Sequence, residues 1–389
     1  MTSTTRSRSR SRALRIDAHE LDAGIAAAER GAVVIWRSER IAFDALPDRI
    51  ARTDGRQERD GLYAGWIEAL EAINPEYEAR FAQWRDAATA SGNDDLAVAL
   101  AGGRDLEALA VDLERLAIHS ETVYHAALRR YLALVDIEQG DATVADLWHV
   151  TRGAAWSQWF GERELDRAAA EAGREVASEA HGEGWRSAES GLAGDDAGRH
   201  TPSGAVAEVY GSLAGDPAWL SRALRMDPDE IASFADFAAF TRLWRLRRSL
   251  AVTQYELRLY RSDDPALQRA YFSGIVGHTT GVDVPEAAYL HDVGAPFSSV
   301  ADLERTMLAG MVASTVEHRF GSEWWADEGA RALLAELAES ASTEDALARL
   351  GYDALDWRPV MRQIRTRLIG EMSGYGGPNI TTRAGTRKV

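Results

Sequence analysis

"RDLEALAVDLERLAIHSETVYHAALRRYLALVD", Arg104 to Asp136, sets the fold class. Leu106, Leu109, Leu113, Leu116, Val123 and Leu128 recur at helical spacing, and no Gly or Pro interrupts them. That pattern predicts one long amphipathic helix. Most of the chain reads the same way. "IDAHELDAGIAAAER" has Asp17 as a cap and no breaker before Gly31. Residues 46–92 predict two or three helices, broken near "INP". "TVADLWHVTRGAAWSQWF" is aromatic-rich and reads as helix, and helices resume from Ser203 to about residue 365. The exception is "VVIWRSERIAF", Val33 to Phe43, where β-branched residues flank a polar turn. It predicts a small hairpin. The expected class is all-α with one hairpin near residues 33–43.

The ends and one internal stretch differ. The first 16 residues carry five arginines and no acid, and are expected to form a disordered basic tail. Residues 17–365 are expected to form the helical domain, with two lobes possible and a Gly-rich junction at 173–204. Residues 366–389 are expected to be a flexible tail.

Composition excludes several chemistries. The chain has 389 residues, no cysteine and a net charge of -17. Disulfides, thiolate nucleophiles and Cys-ligated metals are therefore out. The only lysine is Lys388, which rules out a P-loop and argues against a lysine Schiff base. An acidic body argues against nucleic acid as partner. The absence of a run of about 18 apolar residues predicts no membrane span, and a cytoplasmic protein is expected.

Gly204 to Tyr260 resembles the helical zinc metallopeptidases of the thimet oligopeptidase and oligoendopeptidase F type. The segments "IWRSERIAFDALPDRIA", "GRDLEALAVDLERL" and "HDVGAPFSSVADLERTMLAGMVASTVEHRFG" resemble them too. The likeness spans roughly residues 24 to 360. It implies zinc held by H-E-x-x-H on one helix, with a third ligand, a Glu, about 25–30 residues on. In "AVAEVY", Glu208 stands where that Glu belongs, and His181 lies 27 positions before it.

The stretch at that place is "EAHGEGWRSAE", Glu179 to Glu189. The motif needs Glu at 182 and His at 185, but Gly182 and Trp185 stand there. Glu183 is one residue off, about 100° around a helix. Only about twenty residues, Gly161 to Ala180, precede it, too few for the sheet that the family places there. "FSSVADL", Phe297 to Leu303, lacks the tyrosines of the family's corresponding segment. The resemblance therefore implies a divergent member, a pseudoenzyme without a cofactor. Its degenerate cleft is expected to bind a peptide, a small molecule or a partner protein. The alternative is a repurposed metal-dependent hydrolase or a specialised-metabolism enzyme. It would use His181, His200 and Glu208 as ligands to zinc or another divalent metal, with Glu183 and Glu208 as catalytic candidates. On the pseudoenzyme reading, Glu208 pairs with a Tyr or with an Arg, for instance one from "RLWRLRR".

Other features read as structural. His119 and His125 lie six apart, on different helix faces. Trp148, Trp156, Trp159 and Phe160 have core spacing, although tryptophans beside Arg would also suit an aromatic or cationic ligand. Arg242, Arg245, Arg247 and Arg248 read as a solvated or acid-paired stripe. The neighbours His291 and Asp292 do not make a triad by themselves.

Overall fold

The computed structural model describes residues 23–160 and 201–372, apart from Asp94 and Gly102. Residues 23–31 are helical and lead into β1 (Val33–Trp36) and β2 (Glu39–Ala42). These pair antiparallel, with Val33 opposite Ala42 and Trp36 opposite Glu39. Arg37 and Ser38 both take positive φ, 47° and 73°, as a tight two-residue turn matching strand twist requires. The hairpin seats on a helix through two glycines. A Cβ at Gly61 would lie 2.1 Å from Trp36 Cη2, and one at Gly65 2.7 Å from Val34 Cγ1.

Five helices follow: α1 (Leu46–Arg52), α2 (Arg56–Ala90), α3 (Leu96–Leu100), α4 (Leu106–Ala133) and α5 (Val144–Thr151). The helix expected over 104–136 is α4, started by the Asp105 side chain accepting from Glu107 N and Ala108 N. The expected break near "INP" does not occur, because α2 runs through Pro75 for 35 residues. Proline removes one helical hydrogen bond. Buried Trp66, Leu70 and Ile73 before it, and Tyr77, Phe81 and Trp84 after it, hold both halves to the core. The "TVADLWHVTRGAAWSQWF" stretch divides at Gly153, whose φ is 61°, into α5 and a 3-10 segment, Ala154–Phe160.

The second half comprises α6 (Thr201–Gly211), α7 (Pro228–Leu259), α8 (Arg269–Thr280), α9 (Ser298–Phe320), α10 (Glu328–Ala338), α11 (Thr343–Leu350) and α12 (Arg358–Met372). Two expected boundaries shift. Residues 201–204, assigned to the Gly-rich junction, belong to α6. Residues 366–372, assigned to the flexible tail, belong to α12, whose buried Val360, Met361, Ile364 and Leu368 keep helical spacing. The central helix α7 packs against α4, α8, α9 and α12, and is buried on nearly every face. One apolar cluster runs from Ile25 to Leu368. Among the described residues, β1 and β2 form the only sheet, so the fold is all-α with one hairpin, as the periodicity predicts. No described helix is long and apolar enough to cross a membrane.

Candidate functional site

Of the four candidate metal-site residues, His181, Glu183 and His200 lie outside the described residues. Glu208 lies on α6, three-quarters buried or more, where α6 packs on α9. Arg242 of α7 donates to its Oε1 at 3.3 Å. Thr306 of α9 donates to Oε2 at 3.1 Å, and Arg305 Nε lies 3.5 Å from the same oxygen. Arg242 also donates to Gln363 Oε1 at 3.2 Å, and Gln363 donates to the Gly310 carbonyl at 3.2 Å. Both carboxylate oxygens are therefore engaged, by two guanidinium groups and a hydroxyl.

The two guanidinium groups beside Glu208 oppose a divalent cation there. A dication about 5 Å from one guanidinium is repelled by roughly 6–7 kcal/mol at an effective dielectric of about 20. Two such groups nearly offset the roughly 16 kcal/mol that a carboxylate bond of about 2.1 Å contributes on the same scale. Among the described residues, no group of three or more His, Asp or Glu side chains is placed to hold a metal.

The arginine stripe divides by face. Arg242 is the member of "RLWRLRR" that pairs with Glu208. Arg247 is only 3% exposed, and its hydrogen bonds among the described residues go to neutral oxygens. It donates to Thr279 O at 2.8 Å, Ala117 O at 3.0 Å and Ser120 Oγ at 2.6 Å, joining α7 to α8 and α4. Its guanidinium also lies over the Tyr124 ring, 4.9 Å from the centroid. Burial pulls its pKa below the usual value. Arg248 points elsewhere, with Nη2 2.8 Å from Asp292 Oδ1.

The histidine pair separates as its spacing predicts. The His119 ring sits 4.9 Å from that of Trp357, whereas His125 Nδ1 meets Gln139 Nε2 at 2.8 Å.

Arg248 and Asp292 lie at a pocket that sequence reading did not assemble. Trp66 of α2, Trp148 of α5 and Trp244 of α7 line it, with aliphatic side chains from α5, α8 and the segment after α8. Its empty space is about 460 Å³, open mouth included. Trp66 and Trp148 meet edge to face at 5.2 Å and 87°, and Tyr63 stacks on Trp66 at 5.7 Å and 11°. The Trp66 indole N–H and the Tyr63 hydroxyl are buried and have no hydrogen-bond partner among the described residues. Burial, with Asp283, Asp292 and Asp146 nearby, raises the Tyr63 pKa well above its ordinary value, so the phenol stays protonated.

Beside this pocket, Tyr77 donates to Glu29 Oε1 and lies 2.9 Å from His291 Nδ1. Because the one phenolic proton goes to Glu29, His291 Nδ1 carries the hydrogen toward Tyr77. Burial lowers the His291 pKa, which favours this neutral form. His291 thus joins a polar cluster with Tyr77 and Glu29, both more than 200 residues upstream. Such partners leave no mark in local spacing.

The tyrosine-free "FSSVADL" stretch has a different role. Glu256 of α7 is fully buried at the start of α9. It accepts from Phe297 N at 2.8 Å, from Tyr260 OH at 2.8 Å and from the Ser299 hydroxyl. Phe297 itself takes φ 55°. Burial outweighs these hydrogen bonds and raises the Glu256 pKa to about 7.

No protein-family model matches the sequence, and no curated protein matches it. Solved structures do match. One is a 3.1 Å X-ray structure of a protein described as an oligoendopeptidase F, with a TM-score of 0.58 and 12% identity. The match covers 92% of this chain and 74% of that one. At this identity the likeness is one of fold, and it gives this chain the helical architecture of an oligoendopeptidase F.

Proposed function

We propose that this chain is a peptidase-fold protein without peptidase chemistry, a pseudoenzyme that binds a ligand rather than cleaving one. The arrangement around Glu208 carries the reading. A carboxylate that ligates a cation must offer it a lone pair, and neighbouring guanidinium groups oppose that cation by Coulomb repulsion. Glu208 instead forms an ion-paired clasp with Arg242 and Arg305 between α6, α7 and α9. The sequence supports the same reading, since Gly182 and Trp185 stand where the family's base and second His belong. The proposed occupant of the remaining cleft is a peptide, a small molecule or a partner protein, with no metal cofactor.

The test is metal content and peptide hydrolysis of protein purified without chelator, with His181→Ala and Glu208→Ala beside it. The expected result is substoichiometric zinc, iron and manganese in all three proteins, and no cleavage of a quenched-fluorescence peptide library. One equivalent of metal in the parent, lost in both variants, overturns the reading in favour of a repurposed metallohydrolase.

A further inference from the structure

The first half of α4 turns one face to the core and the opposite face to solvent. Leu106, Leu113, Leu116 and Ser120 are buried, whereas Val111 and Ile118 are 47% and 64% exposed. Seven residues apart, Val111 and Ile118 lie almost in line along the helix. An amphipathic helix ordinarily turns such side chains inward. A second line runs beside them. Glu107 and Glu114 stand four and three positions from Val111, and Glu114 and Glu121 four and three from Ile118, so all share this face. The three glutamates are exposed, and none forms an ion pair among the described residues. Arg115, the one Arg or Lys between Asp105 and Thr122, is taken by Asp112 at 3.2 Å. The outward face therefore combines uncovered aliphatic surface with unneutralised negative charge.

Charge complementarity selects the occupant. Arg6, Arg8, Arg10, Arg12 and Arg15 lie in a stretch without an acid, and Leu14 and Ile16 add aliphatic surface at its end. Exposed ion pairs are individually weak, so the face suits a segment that its own chain keeps close. Tethering of this kind gives an effective concentration on the order of millimolar. The tether is long enough. Twenty-two residues can extend about 75 Å from residue 23, several times the radius of gyration of about 21 Å expected for a folded chain of this size. The other exposed aliphatic pair, Val33 and Ile35 of β1, does not suit a basic occupant. Arg40 stands directly across from Ile35 on the same face of the hairpin.

We infer that the outward face of α4 docks the chain's own arginine-rich segment, residues 6–16. Its arginines are set against Glu107, Glu114 and Glu121, and Leu14 and Ile16 are the groups that cover Val111 and Ile118. The inference does not depend on what the peptidase-like cleft binds.

The chain has no cysteine, so introduced cysteines carry labels without background. Nitroxides are attached to the intact chain at Ser9→Cys and Ala110→Cys, and the distance between them is read by double electron–electron resonance. A narrow short-distance population is expected at low salt, unchanged when labelled chain is diluted with excess unlabelled chain. It should fall at least threefold when Glu107→Gln, Glu114→Gln and Glu121→Gln are combined. It should fall as far in about 1 M salt, where the Debye length is about 3 Å. Ile118→Ser alone should lower it at least twofold. Every changed side chain on α4 is exposed, so these variants leave the core intact. The inference is overturned if the short-distance population is absent or if it survives the glutamate changes. Loss on dilution with unlabelled chain also overturns it, because the occupant is then a second copy.

Discussion

Glu256 shows how one buried group makes the molecule sensitive to pH. An unfolded glutamate titrates near its model value of 4.5, whereas burial raises the folded one to about 7. Below about pH 4.5 the group is protonated in both states, and its contribution to stability is complete. As pH rises toward 7 the unfolded chain releases this proton and the folded chain retains it, so stability falls. The shift corresponds to roughly 3 kcal/mol lost between those limits, with no further change well above pH 7. Glu256→Gln keeps an acceptor for Phe297 N and Ser299 but cannot ionise. Urea-unfolding free energies measured from pH 4.5 to 8 should show that slope only in the parent, and equal slopes would refute the assignment. Glu208 makes the complementary point at the same scale. An acid within the apolar run "AVAEVY" needs a counter-charge once buried, so an arginine partner was legible. Its second partner, Arg305, lies 97 positions downstream, and no local pattern indicated it.

At the scale of elements, periodicity carried the reading wherever apolar spacing alone decides structure. The helices α4, α7, α9 and the hairpin follow from it. It failed at Pro75, where burial on both sides of the proline outweighs one missing hydrogen bond. It also stopped α12 too early, because the expected tail boundary cut off the turn containing Leu368. The crossing of α9 and α12 depends on a residue without a side chain. A Cβ at Gly310 would lie 2.7 Å from Val360 Cβ and 2.9 Å from Val360 N. The same approach lets Gln363 reach both the Gly310 carbonyl and Arg242. Gly310→Ala must push α12 outward and loosen that bridge. A destabilisation of about 1–3 kcal/mol is expected, read as a lower midpoint in chemical denaturation. An unchanged midpoint would show that α12 yields without strain.

At the scale of the whole molecule, the fold was more legible than the site. A helical stripe repeats every three or four residues and can be read locally. The tryptophan pocket draws Trp66, Trp148, Trp244 and Asp292 from four separate regions, and only closure of the chain brings them together. Trp66 and Trp244 individually look like core residues, and both are in fact nearly fully buried. That the Trp66 indole N–H is buried without an acceptor among the described residues is likewise a property that only three-dimensional structure reveals.

The three-way attachment of Arg247 bears on how the molecule comes apart. Its guanidinium holds backbone carbonyls of α4 and α8 from a position on α7, and Tyr124 adds its own bond to Thr280 O at 2.7 Å. None of these helices can open alone without leaving buried polar groups unsatisfied. They should therefore behave as one cooperative unit, in which slowly exchanging amides become exposed through a single opening. Native-state hydrogen exchange should give central amides of α4, α7 and α8 a common opening free energy in the parent. In Arg247→Met the α8 amides should exchange earlier than the rest. If α8 already exchanges separately in the parent, Arg247 fills space without coupling the helices.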